Sequence, residues 1–391
     1  MASVSTPPVV GGGSAATSAA AARRPRRPLG RRRGRYPGEA TAGWLFSAPA
    51  VVLLIVFLLV PILMALWVSL TGWTGQGSPF AGGVPFAGGT NYAQLLVRPG
   101  LEREDFMTSI RNTLYYVLLV VPLQTGLALF LAMVVNQRRL MGRTFFRTAF
   151  YFPSVTSSVA ISILFLFMFT GTGAINTLLG FVGIRGPSWF NDSDGLLHLI
   201  LGGLHIVDPN SPPGALANHG LLGLSWWEWL SGPSVAMCAI IMLVVWTTSG
   251  TFMLIFLAAL QDLPMDVEES SILDGANVWQ RLWHVTLPQL RPQVFLVITL
   301  GLIGSWQVFD QIFIISQGGP DKTTLSPAYL SYTTGFGDQQ YPAGAAMSFV
   351  LFAIIVVMTL VQRFLLRDKD DGRERRAERR LRRSMRREGT A

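Results

Sequence analysis

Glu269, Ser270, Ser271, Asp274, Gly275 and Ala276 stand in a polar island between two apolar runs, in a chain of 391 residues of which half are hydrophobic. The island, 261–292, holds carboxylates but no paired nucleophile and base, and no metal-ligand spacing. Its residue types suit docking: acidic groups that pair with a partner's donors, and apolar groups at helical spacing. Asp262 is a residue type that caps a helix start, and Pro264 is tolerated in a first turn because the N–H there has no intrahelical partner. Met265, Ile272 and Leu273 give a first helix an apolar side. Asp266, Glu268 and Glu269 fall in its first half, where the helix dipole favours negative charge. Gly275 is free to take a positive φ, a common way to end a helix before a sharp turn. Asp274 can then serve a second helix, in which Trp279, Leu282, Trp283 and Thr286 make one stripe. Pro288 and Pro292 are expected to stop that helix and open the next apolar run. The expectation is two short amphipathic helices hinged at Gly275, an element with no reason to lie in lipid.

This pattern resembles the cytoplasmic coupling loop of binding-protein-dependent ABC importer permeases. Their motif reads Glu-Ala-Ala, three residues, Gly, then a spacer and an Ile/Leu-Pro ending. Glu269 matches the glutamate, Gly275 the glycine and Leu287-Pro288 the ending, while Ser270-Ser271 replaces Ala-Ala, small for small. Asp274-Gly275-Ala276, Trp279-Gln280 and Thr286-Leu287-Pro288 resemble the carbohydrate-uptake branch, the maltose and glycerol-3-phosphate permeases. Phe309-Asp310-Gln311-Ile312, followed by Gly318-Gly319-Pro320 and Thr323-Thr324, is similar to the end of the fifth helix and the outer loop of sugar permeases. The resemblance covers roughly residues 40 to 366.

The resemblance implies an all-α, polytopic membrane protein of six transmembrane helices, the type I ABC importer (MetI-like) bundle. It implies a second homologous permease, a dimer of ATP-binding-cassette ATPase subunits and an extracytoplasmic solute-binding protein. The implied cargo is a carbohydrate or a related polyol phosphate. ATP and Mg would sit on the ATPase, with no cofactor on this chain. Glu269 would then pair in a cleft of the ATPase, and Gly275 would let the loop fit. A solvated helix charge and a plain turn are the simpler alternative.

Other chemistry is not visible. The four histidines, His198, His205, His219 and His284, show no metal spacing with Cys or carboxylates. No Gly-rich phosphate loop ending in Lys-Ser/Thr appears, so ATP is expected to be hydrolysed on a separate polypeptide. No Gly-x-Ser-x-Gly elbow is present. The one cysteine, Cys238, permits neither an intrachain disulfide nor a thiolate cluster. The chain reads as non-enzymatic.

Apolar elements must position these residues. Only 14% of the chain is charged, which excludes an ordinary soluble domain. A bilayer crossing needs about 20 apolar residues. Six runs qualify: 44–70, 112–135, 149–170, 234–260, 294–316 and 343–361. A seventh, 196–207, is short, carries two histidines and reads as part of an external loop, 171–233. The first run exceeds a signal-peptide core and has no small-residue cleavage site behind it.

Lysine and arginine mark the cytoplasmic side. With the N-terminus inside, the inner segments carry 8 (1–43), 4 (137–148), 2 (261–292) and 12 (363–391) of them. The outer segments carry only Arg98, Arg103, Arg111, Arg185 and Lys322. Both termini and the island are therefore expected in the cytoplasm, with a permease domain, 44–366, in a bacterial plasma membrane. The basic tails, 1–43 and 367–391, suit either nucleic acid or a topology signal that touches anionic membrane lipid. The glutamates mixed into the second, Glu374, Glu378 and Glu388, favour lipid and no nucleic acid. Residues 1–22 have the composition of a disordered segment.

Candidates for a substrate path are few: Asn112, Gln124, Thr247, Thr248, Ser249, Trp306, Gln307 and Asp310. Asp310 is the only carboxylate inside a run. Eighteen residues beyond Pro292, at about 1.5 Å each, it lies about 27 Å along the helix, near the outer edge. A structural role there and a part in an outer gate both fit. Trp306 beside Gln307 suits a sugar, with a ring to stack and an amide to bond a hydroxyl, and equally suits helix packing. Trp226, Trp227 and Trp229 in the external loop fit interface anchors or contacts for an external binding protein. The competing function is a stand-alone secondary transporter or channel. That predicts ionisable groups at mid-bilayer, and the runs hold almost none.

Overall fold

The computed structural model describes residues 39–137, 140–184, 186–203, 214, 219–221 and 223–365. The tails 1–38 and 366–391, together with Arg138, Arg139, Arg185 and His205, lie outside them. The chain divides into two units, 1–60 and 61–391. In the first, the helix Glu39–Leu54 passes into a wide π turn, Ile55–Leu59. The apolar helical stretch Thr41–Ser69 agrees with the first expected run and is long enough to cross a bilayer.

In the second unit, two long helices, Leu101–Asn136 and Val235–Gln261, lie side by side. Val117, Val120 and Val121 pack with Met237, Ile240, Ile241 and Val244 in one cluster. Ala128, Ala132 and Val135 pack with Phe252, Met253, Phe256 and Leu257 in another. Alanines four residues apart let the two backbones come close. Helices Arg291–Trp306 and Tyr341–Leu365 complete the core with Trp306, Leu351 and Ile355. Among the described residues the only β ladder is the pair Gly220–Leu221 and Leu224–Ser225.

Among the described residues, four helices are long and apolar enough to span, and two bent pairs bring the number to as many as six. The second span begins at Leu101, well before 112, with Glu102 and Glu104 in its first turn, where the dipole favours them. The expected run 149–170 is not one rod. It is two helices, Arg143–Val155 and Ser158–Met168, bent by 97°. Pro153 removes one ladder hydrogen bond, and Thr156 is extended with ψ 146°. Ser154 and Thr156 turn their hydroxyls back onto the Tyr151 and Phe152 carbonyls, offering the backbone an alternative to continuing the helix. The first half lies against the Val235–Gln261 helix, where a Cβ on Gly250 would collide with the Phe150 carbonyl.

The run 294–316 is also broken. Its helix is Arg291–Trp306, about 24 Å long, and a π turn, Ile312–Ser316, follows after a gap. The Ser326 hydroxyl donates to the Val308 carbonyl in that gap at 2.9 Å, replacing a helix bond. The short run at 196–207 forms the helix Leu196–Gly203 within the described residues.

Candidate functional site

The polar island folds as two short helices around a left-handed turn. Asp262 closes the preceding helix instead of opening the next: its N–H donates to the Ala258 and Ala259 carbonyls, both at 3.2 Å. The helix Met265–Leu273 starts from Pro264, with no side-chain cap. The Asp274 N–H then donates to the Ser270 carbonyl at 3.0 Å, and Gly275 takes φ +76° as its sequence position suggested. Asp274 does not open the second helix. Asn277 does, through a reciprocal cap: its Oδ1 accepts the Gln280 N–H at 2.8 Å, and Gln280 Oε1 accepts the Asn277 N–H at 2.9 Å. Asn-x-x-Gln was readable as that signal.

The second helix, Val278–Arg281, widens into a π turn, Leu282–Thr286, and continues through Leu287–Gln289. Pro288 has no N–H for an α-type bond, and it sits inside this continuation without stopping it. The break comes at Leu290, where the chain bends by 75° into Arg291–Trp306 with Pro292 in the first turn. Glu269, Ser270, Asp274 and Gly275 are exposed, Ala276, Leu287 and Pro288 are half-buried, and Ser271 is buried. Leu273 is 87% exposed, Trp279 70%, Val278 69% and Trp283 61%. The expected stripe divides: Trp279 and Trp283 stand out from the chain, while Leu282 and Thr286 are half-buried. The elbow thus sets open apolar side chains close in sequence to the exposed carboxylates of Glu269 and Asp274.

The path candidates separate into two groups. Thr248, Gln307 and Asp310 line a cavity of about 250 Å³ with Gln124, Gly301, Ser305 and Phe309. Thr248, Phe252 and Gln311 also line a second cavity, of about 310 Å³, at the break in the third span. That one carries the hydroxyls of Ser154, Thr156, Ser158, Thr247 and Thr251. Gln311 Nε2 donates to Ser158 Oγ at 3.1 Å and ties the two broken helices together. The hydroxyl-rich run 154–158 was missed in the sequence because it falls inside an apolar run. A proline beside four hydroxyl residues was the available signal.

Gln124 is 1% exposed, and its amide reaches the Thr248 hydroxyl at 2.7 Å. Thr248 Oγ1 is also 2.7 Å from the Val244 carbonyl. Whichever way the amide is turned, one of its ends has no protein partner. A Cβ on Gly301 would collide with that amide. Glycine at 301 therefore keeps room for Gln124 at the cavity wall.

Trp306 and Asn112 lie elsewhere. Trp306 is 1% exposed and packs in the apolar core, so its ring is not free to stack on a sugar. Asn112 is a clamp: its Nδ2 donates to the Lys322 carbonyl at 2.7 Å and the Leu325 carbonyl at 3.2 Å. Lys322 itself pairs with Asp105 at 2.6 Å. Together they fix the 317–326 loop to the start of the second span. In the loop 171–233, Trp226–Trp229 forms one turn under a reciprocal Ser225–Glu228 cap. Trp227 stacks on His198 at 4.1 Å, leaving Trp226 the more open ring, at 42%. Burial pushes the His198 imidazole below its ordinary pKa, against the opposing pull of Asp194.

An all-helical bundle of apolar spans, a polar cavity between broken helices and an outstanding hinged loop define a membrane transport subunit. Residues 124–370 match the family of binding-protein-dependent transport system inner membrane components, and the chain belongs to that family. It is 30% identical to the lactose transport system permease protein LacF of Rhizobium radiobacter, over 84% of this chain and 94% of that one. It is 28% identical to the multiple sugar-binding transport system permease protein MsmF of Streptococcus mutans, over 82% and 93%. It is 28% identical to the trehalose/maltose transport system permease protein MalF of Thermococcus litoralis, over 83% and 92%. Its fold matches a chain from a bacterial ABC transporter involved in the import of the acidic polysaccharide alginate, with TM-score 0.62 at 20% identity, covering 84% of this chain and 96% of the other. The protein is thus a membrane permease subunit of an ABC importer, with the MetI-like bundle expected from its motifs.

Proposed function

We propose that this permease carries an uncharged sugar or oligosaccharide, delivered by an external solute-binding protein, and that the loop at Glu269–Gly275 couples it to an ATPase dimer. The observation that carries the coupling is the elbow itself: two short helices about the left-handed Gly275, with exposed Glu269 and Asp274 close in sequence to the open side chains of Leu273, Val278, Trp279 and Trp283. ATP and Mg would be held by the ATPase, and this chain would contribute no catalytic group. A second homologous permease would complete the pathway. The charge asymmetry supports a cytoplasmic position for the elbow and both termini.

The named sugar permeases among its relatives support a carbohydrate cargo. The cavities narrow the class. Their linings carry amides, hydroxyls and the single carboxylate Asp310, with no lysine or arginine among the described residues. A phosphate ester or an acidic polysaccharide would call for cationic partners. Thr248, Gln307 and Asp310, with Gln124, are the proposed substrate contacts. Trp306 and Asn112 support them from the core and the clamp.

Purification through a tag on this chain tests the reading: an ATPase and a second permease should come with it, and cysteine placed at Trp279 should crosslink to the ATPase. A chain that carries solute in liposomes without an ATPase would establish the secondary-transporter alternative instead. The external loop gives a separate expectation. Trp226→Ala should lower uptake from the loaded binding protein at least about fivefold with insertion unchanged, as for an aromatic anchor at an interface. Trp227→Ala should also weaken uptake without loss of insertion, by freeing the loop from His198. Unchanged uptake in both would make the tryptophans membrane-interface anchors.

A further inference from the structure

We propose that a row of aromatic rings leading away from the cavity is a stacking track for the sugar, a binding site separate from the cavity itself. The proposal rests on the carbohydrate reading above. Phe309 lines the cavity, and Phe313 stacks on it at 5.4 Å with planes 19° apart. Tyr332 meets both edge-on, at 5.3 and 5.7 Å. Phe336 follows Tyr332 at 5.5 Å, Tyr341 follows Phe336 at 6.3 Å, and Trp73 ends the row at 5.3 Å from Tyr341. Each ring touches the next at a spacing aromatic pairs favour, so the row holds its own shape.

Three of the rings are open: Phe336 is 69% exposed, Tyr332 41% and Phe313 39%. Phe313 and Phe336 stand on π turns, Ile312–Ser316 and Thr333–Gly337, a distortion common at functional sites. The far end is also fitted. Gly75 has φ +87°, and a Cβ on it would collide with the Tyr341 ring.

Lipid and the second permease are the other occupants an exposed aromatic face could have. Two features favour a sugar. The row starts at the cavity wall, where Gln307, Asp310 and Gln311 offer donors and acceptors. Asp338, Gln339 and Gln340, all exposed, flank its outer part. Rings rimmed by amides and carboxylates match a pyranose, whose C–H face stacks while its hydroxyls bond at the edge. A strip facing only hydrocarbon would leave those amides and the carboxylate without hydrogen-bond partners.

The test uses the whole assembly, purified through this chain and reconstituted with its binding protein, with lactose and maltotriose as uptake probes. Tyr332→Ala combined with Phe336→Ala should lower maltotriose uptake about tenfold. Lactose uptake should fall less, because a shorter sugar spans fewer rings. Tyr332→Phe, which keeps the ring, should stay within about twofold of the parent. Equal uptake of both sugars with and without the rings overturns the track and leaves the carbohydrate reading standing. Loss of the second permease from the ring-less complex assigns the face to subunit packing and overturns the track as well. A parent assembly that takes up neither probe, nor any other neutral sugar from mono- to oligosaccharide, removes the carbohydrate reading, and the track with it.

Discussion

Gly275→Val should abolish uptake and substrate-stimulated ATP hydrolysis while the chain still inserts in the membrane. The residue sits at φ +76°, and nothing lies within 4 Å of where its Cβ would be. Crowding is therefore no obstacle, and the whole effect must come through the backbone. A side chain in the left-handed region costs about 1–2 kcal/mol, and a β-branched one resists it most. The turn would relax by changing φ, and the Asn277-capped helix would swing with it. Trp279 and Trp283 would then move relative to Glu269. Asparagine tolerates the left-handed region, so Gly275→Asn should keep most activity. Equal loss in both variants would point to the glycine surface itself and sink the hinge argument. Glu269→Ala isolates the other component. Its exposed carboxylate needs a partner once docking removes it from water, so coupling should fall about tenfold with folding unchanged. Full stimulated hydrolysis in that variant would leave Glu269 a solvated charge.

What was legible in the sequence follows how local each cause is. Gly275 could be read because a positive φ after a helix is a demand on one residue. The cap is a local cause as well, although Asp274, nearer the glycine, is the expected opener of the second helix. Asn277 and Gln280 show that reciprocal spacing outranks proximity. The long runs were found because hydropathy accumulates over many residues. The same accumulation hid the 97° bend at 156–157, since a few hydroxyls barely change the sum over a span. Trp306 and Asn112 stay open in the sequence for another reason. Nothing in the fifth run tells which side of the helix meets the 101–136 helix, and that contact buries the Trp306 ring. Nothing near Asn112 announces carbonyls at 322 and 325. The cavity was the least legible feature, because Gln124, Thr248 and Gly301 come from three helices and acquire meaning only when assembled.

Gly301→Ala should close that cavity and lower uptake at least about tenfold with the assembly intact. The added methyl would occupy the position of the Gln124 amide; its next neighbours, Gln124 Cδ at 3.5 Å and Phe252 Cε2 at 3.8 Å, are ordinary contacts. Only the end of one side chain has to move. Moving it gives up the bond to Thr248, about 1 kcal/mol net, and leaves a buried amide unpaired at about 1–3 kcal/mol. A helical core can absorb that loss, so the chain should still fold and still bring down its ATPase. A substrate contact cannot absorb it, because each 1.4 kcal/mol is tenfold in affinity. The double variant Gln124→Ala with Gly301→Ala separates the two effects. Shortening the side chain removes the collision, so thermal stability should recover toward that of the parent. Uptake should not recover, because the amide that faces the cavity is gone. If the double variant carries sugar as well as the parent does, Gln124 fills space and bonds nothing that passes through.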